Sequence, residues 1–250
     1  MDTELIIGIH SIKAALENSL RNCIELFLTE DAKTELKEQL KNSNISTQVV
    51  SPHKLQEIAK SKFKEAEVEY QRVPSGALLI ADALAERDMN DLYELVAEGS
   101  KKILCLDQIS DVHNGAAILR TASFYGVDAV ILPARKSFRF SPGYFRIASG
   151  AHEYLKLFQV QNLSKTIRKM QENGTIVVGL SEHADEKFSA KEYLSSGKSL
   201  ALVLGKEETG ISNAVMRVVD HKLALNSQGS IKSLNVSVAS AVSLEKCFGN

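Results

Sequence analysis

The chain contains no tryptophan, and aromatic residues make up only 6% of its 250 positions. Its three cysteines, Cys23, Cys105 and Cys247, are widely spaced, form no CxxC pair and are odd in number, which argues against a disulfide framework. No apolar run approaches the ~20 residues that a membrane-spanning helix needs. The opening MDTELIIGIHS has neither a basic n-region nor a long apolar h-region, so no signal peptide is expected and the cytoplasm is the expected compartment. Six histidines and three cysteines offer no ligand-spaced cluster, so no metal is expected. Charge of one sign is also missing. Lys and Arg number 30 against 31 Asp and Glu, for a net charge of -1, which speaks against holding nucleic acid by bulk electrostatics. There are no internal repeats and no low-complexity tracts. What remains, 44% hydrophobic and 24% charged, is ordinary for a globular protein of one large domain or two small ones.

The N-terminal stretch alternates helical and strand patterns on a small scale. IIGIHSIKAALEN carries Ile9, Ile12, Leu16 and Leu20 at helical spacing, and IELFLTE (24–30) reads as a short buried strand. Residues 31–42 read as a helix with Leu36 and Leu40 on one face, followed by a second strand, STQVVS. PHKLQEIAKSK opens with Pro52 at a plausible first helical position, and SGALLIADA (75–83) reads as a third strand. Between residues 30 and 72 eight basic side chains face eight acidic ones, a balanced, solvated surface. A small α/β unit spanning 1–85 is expected, then a linker and helix over 86–100. Over 101–250 the pattern is larger. KILCLD, DAVILPA, TIVVGLS, SLALVLG and HKLALN are strand candidates, AAILRTASFYG and NLSKTIRKMQENG helices, and VSVASAVSLEKCF a final amphipathic helix. Continuous apolar strands joined by helices predict a parallel sheet covered on both faces.

Open α/β sheets bind ligands at the carboxyl ends of their strands. Three segments stand at such ends. In DVHNGAAILRTA (111–122), Arg120 lies inside an otherwise apolar helix and so must have an anionic or polar partner, because an unpaired buried charge is very costly. The alternatives are a functional Arg with Asn114 at the loop, or a structural Arg paired to a carboxylate. In LVLGKEETGIS (202–212), Gly205 and Gly210 suit a tight turn, and Glu207 is placed to order the loop or pair with Arg120. In the third, running from Leu225 to Cys247, Ser233, Asn235, Ser237 and Ser240 interleave with Leu234, Val236 and Val238. That cluster is either chemistry or helix N-capping by Ser233 or Asn235.

In this order the three segments resemble the motifs of the SpoU-type (TrmH-like) RNA ribose 2'-O-methyltransferases of the SPOUT superfamily. The first is similar to the family's Asn…Arg-Thr-Ala pattern through Asn114, Arg120, Thr121 and Ala122. The second resembles its Gly-x-Glu-x-x-Gly loop through Gly205, Glu207 and Gly210, and the third its Ser-Leu-Asn-Val-Ser-Val-Ala run from Ser233 to Ala239. The resemblance covers about residues 100–250, and the GIHSIKAAL opening resembles the small substrate-binding domain of the rRNA-modifying branch. Two positions depart from the pattern. Ala116 stands where the family has Gly, with Gly115 one position early, and Asn226 and Ser227 follow Leu225 where the family has Pro.

The resemblance implies an α/β fold whose C-terminal parallel sheet carries a deep trefoil knot, an exception to the rule that chains do not thread. It implies methyl transfer from S-adenosylmethionine to a ribose 2'-hydroxyl of RNA by a homodimer, without a metal, with large-subunit (23S) rRNA favoured by the N-terminal domain. Arg120 inherits the role of hydroxyl activator, held by Asn114 and Glu207, with Ser233 and Asn235 completing the network. The cofactor is expected on backbone groups of Leu180, Gly205, Gly210, Leu225 and Leu234. Separately, ARKSFRFSPGYFR (134–146) carries Arg135, Lys136, Arg139 and Arg146 without an acid, interleaved with Phe138, Phe140, Tyr144 and Phe145. Cations there would hold phosphates, while the rings either stack on unpaired bases or pack on the sheet. His152 and Glu153 follow with no assigned role. The rival readings are a tRNA or antibiotic-resistance methyltransferase of the same chemistry, and a non-catalytic RNA-binding or assembly factor that keeps the fold.

Overall fold

A computed structural model describes residues 3–41, 43–181, 189–231 and 233–249. The first elements are β1 (Thr3–Ile7), α1 (Ile9–Glu17), β2 (Cys23–Leu28), α2 (Glu30–Glu35), α3 (Lys37–Lys41), β3 (Ser46–Val49), α4 (Pro52–Glu65) and β4 (Ala77–Asp82). They are followed by α5 (Met89–Ala97), β5 (Lys102–Leu106), α6 (Val112–Phe124), β6 (Ala129–Pro133), α7 (Pro142–Ala148), α8 (Ala151–Tyr154) and β7 (Lys156–Val160). The chain closes with α9 (Leu163–Glu172), β8 (Ile176–Leu180), α10 (Ala190–Ser195), β9 (Leu200–Leu204), α11 (Asn213–Met216), β10 (His221–Leu223) and α12 (Val236–Phe248). None of these helices is long and apolar enough to cross a membrane.

Contacts divide the chain into two compact units, and the division is not linear in sequence. Unit 1 joins Met1–Ala85 to Arg139–Tyr154, and unit 2 joins Glu86–Phe138 to Leu155–Asn250. The segment holding α7 and α8 therefore belongs to unit 1, although it interrupts the stretch 101–250.

Unit 1 is built on a four-stranded sheet in the order β1-β4-β2-β3, with β4 antiparallel to β1 and β2, and β3 parallel to β2. The helical spacing expected from Ile9 to Leu20 is corrected at its end, since α1 stops at Glu17 and Leu20 is 73% exposed, while the Ile6 and Ile7 that open the same stretch belong to β1. Leu5, Ile6 and Ile7 are all buried, so this short strand shows no polar alternation to distinguish it from the helix that follows. Gly8, at φ 100°, makes the corner between them. Leu5, Ile7, Phe27, Leu78 and Ile80 pack one face of the sheet against Leu55, Ala59 and Phe63 of α4. That helix starts as expected, with Pro52 at its first position and the Ser51 hydroxyl accepting from Lys54 N at 3.2 Å.

Unit 2 carries a six-stranded sheet in the order β10-β8-β9-β5-β6-β7, parallel throughout. Strands β5, β8 and β9 are central and nearly continuous in apolar residues, as a parallel sheet covered on both faces requires. Parallel pairing puts all six carboxyl ends on one edge. The strands β10, β8 and β9 end side by side, with Leu223 paired to Leu180 and Gly179 to Val203. Helix α12 packs on α6 and against β9, so the segments that begin and end the unit's chemistry-bearing motifs share one helical layer.

Candidate active site

The loop after β9 is a glycine-closed hairpin. Lys206 and Gly210 exchange backbone hydrogen bonds at 3.1 and 2.8 Å. Gly210 takes φ 68°, and a side chain at Gly205 would strike the backbone of Gly210 and Ile211. Both glycines are thus demanded by the turn. Asp107, buried at the end of β5, fixes the hairpin's far side by accepting from Ser212 N at 2.7 Å, while its own amide donates to Leu204 O at 2.7 Å. Sequence reasoning missed Asp107, though a carboxylate closing an apolar strand that leads into a loop was a visible signal.

Glu207 projects from this hairpin into solvent, and its Oε2 accepts from Asn235 Nδ2 at 3.4 Å. Asn235 is also the N-cap of α12, its Oδ1 accepting from Ser237 N at 2.9 Å and from the Ser237 hydroxyl at 2.6 Å. The capping alternative for the third segment thus holds at Asn235, whose side chain also reaches the second motif. Ser233 and Leu234 are exposed beside it. Asn114 sits in the first turn of α6, where its amide donates to the capping carboxylate of Asp111 at 2.7 Å.

Arg120 corrects an expectation. The buried residues of α6 are Gly115, Ala116, Ile118, Leu119 and Ala122, and Arg120 falls on the opposite, exposed side. No burial compels a partner, and among the described residues it has no ion pair or hydrogen bond. Glu207 bonds to Asn235, not to Arg120.

Leu180 ends β8, while Gly205 and Leu225 follow β9 and β10. Leu180 and Leu225 are half-buried, Leu234 is 50% exposed and the neighbouring Ile231 is 79% exposed. Apolar side chains left partly uncovered beside the backbone of a glycine hairpin fit a flat heteroaromatic ring, which buries its faces on leucines and bonds its edges to peptide groups. The residues present thus suit an adenosyl cofactor. Among the described residues there is no group of three or more His, Cys, Asp or Glu arranged to hold a metal ion.

The basic segment is divided. Arg135 and Lys136 lie in unit 2 and Arg139 and Arg146 in unit 1, all four exposed. Three of the four aromatic rings turn inward as the packing alternative has it, and the fourth, Phe140, is half-buried. Phe138, Tyr144 and Phe145 are buried, and Tyr144, Phe145 and Phe140 pack around His152 with centroids 4.7 to 5.6 Å from its ring. His152 and Glu153 are structural, the first bonded to the Tyr144 hydroxyl at 3.1 Å and the second paired with Arg21.

Comparison with known proteins agrees with this geometry. Residues 5–75 match the RNA 2'-O ribose methyltransferase substrate-binding family, and residues 101–245 match the SpoU rRNA Methylase family. The chain is 35% identical over 245 residues to the 23S rRNA (guanosine-2'-O-)-methyltransferase RlmB of Shewanella oneidensis, covering 96% of this chain and 95% of the relative. The RlmB of Haemophilus influenzae is 35% identical over 248 residues, covering 97% and 96%. In fold the chain is similar to the SpoU methyltransferase AviRb from Streptomyces viridochromogenes, solved in complex with the cofactor AdoMet, with a TM-score of 0.78 at 18% identity over 99% of this chain and 90% of that one. With both matched regions together spanning most of its length, the chain belongs to the SpoU rRNA methylase family.

Proposed function

We propose that this protein is an S-adenosylmethionine-dependent methyltransferase that modifies a guanosine 2'-hydroxyl of 23S rRNA in the cytoplasm, as a homodimer. The observation that carries the reading is the joining of the motifs at one sheet edge. Glu207 of the β9 hairpin bonds to Asn235 at the head of α12, and α12 packs on the helix that bears Asn114 and Arg120. Relatives of nearly equal length named for this reaction support the substrate.

When bound, the cofactor supplies a methyl group on a sulfonium, so the chain need only position and activate the hydroxyl. Leu180, Leu225 and Leu234 with the Gly205–Gly210 hairpin would hold it. Arginine keeps its charge at neutral pH, and Arg120 is exposed and without a partner among the described residues, so its planar fork is available to a ribose hydroxyl and the adjacent phosphate. It orients the hydroxyl oxygen and eases loss of its proton to solvent, while Asn114, Glu207, Ser233 and Asn235 fix its surroundings. Unit 1 would contact RNA. The dimer reading is supported by apolar side chains left uncovered around α12, with Val238 at 49% and, at the end of α6, Phe124 at 82% exposure.

The test is transfer of labelled methyl to 23S rRNA taken from a strain lacking the gene, with the modified ribose mapped. Label at one guanosine is expected, and Arg120→Ala should remove it while cofactor binding by calorimetry persists. Label entering tRNA instead would favour the tRNA reading. No cofactor binding at millimolar concentration would leave only a non-catalytic RNA-binding factor.

A further inference from the structure

Among the three described non-glycine residues of unit 2 that take the left-handed conformation, two stand in neighbouring loops. Gln108, after β5, has φ 62° and Lys136, after the adjacent β6, has φ 63°. Such residues carry a conformational cost and persist where surrounding contacts dictate them. Here the contacts converge on Phe138. Its amide donates to Ile109 O at 2.9 Å, tying the second loop to the first. Its ring is 5% exposed and sits on the first turn of α6 at Gly115, where an added Cβ would stand 2.5 Å from the ring's Cγ. Only a residue without a side chain leaves room for that ring. Glycine weakens a helix relative to alanine, so its place here is explained by the ring it admits. This also accounts for the glycine's shift by one position from the family pattern, since Ala116 is itself fully buried on another side of the helix.

We infer that Phe138 is a positioning residue for the RNA substrate. Its ring and amide lock the exposed Arg135–Lys136 turn against the helix start that carries Asn114, so that phosphate contacts and the reacting ribose are held in one register. The inference rests on the reading of Arg135 and Lys136 as phosphate contacts.

The test uses the full-length chain and 23S rRNA fragments, with RNA affinity measured across a salt series and cofactor affinity measured separately. Phe138→Ala is expected to weaken RNA binding about tenfold and to lower the slope of log K against log salt by about 1, leaving cofactor affinity unchanged. Gly115→Ala should reproduce this by displacing the ring. The double variant should be no worse than Phe138→Ala alone, because the added methyl then occupies the vacated space. If Phe138→Ala does not fold, Phe138→Leu keeps apolar volume in the notch and should show the same direction at smaller size. Arg135→Ala with Lys136→Ala separates the two ideas. An unchanged slope there overturns the phosphate reading. A lowered slope there, with wild-type slopes in the Gly115 and Phe138 variants or with strictly additive effects, overturns the lock.

Discussion

Arg21 and Glu153 stand far apart in sequence and meet as a bidentate ion pair, Nη2 to Oε1 at 2.6 Å and Nε to Oε2 at 3.2 Å. Both side chains are almost wholly buried within unit 1. Arg21 also donates from Nη1 to Glu4 Oε2 at 2.6 Å and to Asp82 O at 2.9 Å, and Asn18 adds a bond to Glu153 at 2.8 Å. Burial pulls the guanidinium down, but the hydrogen bonds and charges of Glu153 and Glu4 outweigh it and hold Arg21 above its ordinary value. For Glu4, burial prevails and pushes the carboxyl up, with Arg21 acting in the opposite sense. One cation serving two carboxylates at 2.6 Å favours a charged triad whose hub is Arg21. Arg21→Ala leaves two buried carboxylates without their counter-ion, and removing one partner of a buried pair costs about 3–5 kcal/mol. Glu153→Gln keeps the shape and should cost less. Urea unfolding of both variants measures this, and a loss below about 1 kcal/mol for Arg21→Ala would contradict the triad's role.

The same contacts predict the fate of a shortened chain. The Ser11 hydroxyl donates to Phe145 O at 2.5 Å and accepts from Gly150 N at 2.8 Å, so α1 grips the segment at α7 and at the α7–α8 junction. A piece beginning at Glu86 keeps residues 139–154 but loses Ser11, Arg21 and the sheet that covers Tyr144 and Phe145. Hydrogen exchange should then show amides of 144–152 protected in the full chain and unprotected in the piece. Equal protection would mean that the segment folds without unit 1.

His152 gives unit 1 a pH dependence. Burial depresses its imidazole from the ordinary 6.5 to about 3, with the Arg21 charge acting in the same direction. The folded state therefore holds a neutral ring while the unfolded chain takes up a proton below pH 6.5. The ring's contribution is fully present above 6.5 and is lost as pH falls towards 3, by about 1.4 kcal/mol per pH unit, or roughly 2 kcal/mol at pH 5. Replacing His152 by Gln should flatten the acid limb of the stability curve by that amount. An unaltered limb would place the acid sensitivity elsewhere.

Which features were legible in the sequence follows from how locally each is determined. Strand β5 is buried on both faces, and KILCL announces it without help. Strand β7, KLFQV, lies at the sheet edge with Lys156 and Gln159 exposed, and its mixed pattern gives no such sign. Pro142 and Gly143 read as loop punctuation, yet they open α7, with the Ser141 hydroxyl accepting from Tyr144 N at 3.3 Å and the distant Gln71 side chain lying over Gly143. A partner 72 positions away cannot be read from a local window. The motif residues were legible because their order along the chain is distinctive. Arg120 was misread as a buried charge because its apolar neighbours were counted without turning the helix. At 100° per residue, Ile118, Leu119 and Ala122 face inward and position 120 faces out.

Asn235 allows capping and chemistry to be separated. Its Oδ1 closes the first turn of α12, and its Nδ2 makes a long bond of 3.4 Å to Glu207. Asn235→Ala removes both and should cost about 1 kcal/mol of stability, the usual value of a lost cap, along with activity. Asn235→Asp keeps the acceptor and adds a charge that the helix N-terminus favours, but it deletes the donor and sets one carboxylate against another. Its melting temperature should stay near that of the unaltered protein while methyl transfer falls, chiefly in kcat, because the Glu207 hairpin is no longer held beside the reacting ribose. An Asp variant with full activity would leave Asn235 as a helix cap alone and remove the Glu207 bond from the mechanism.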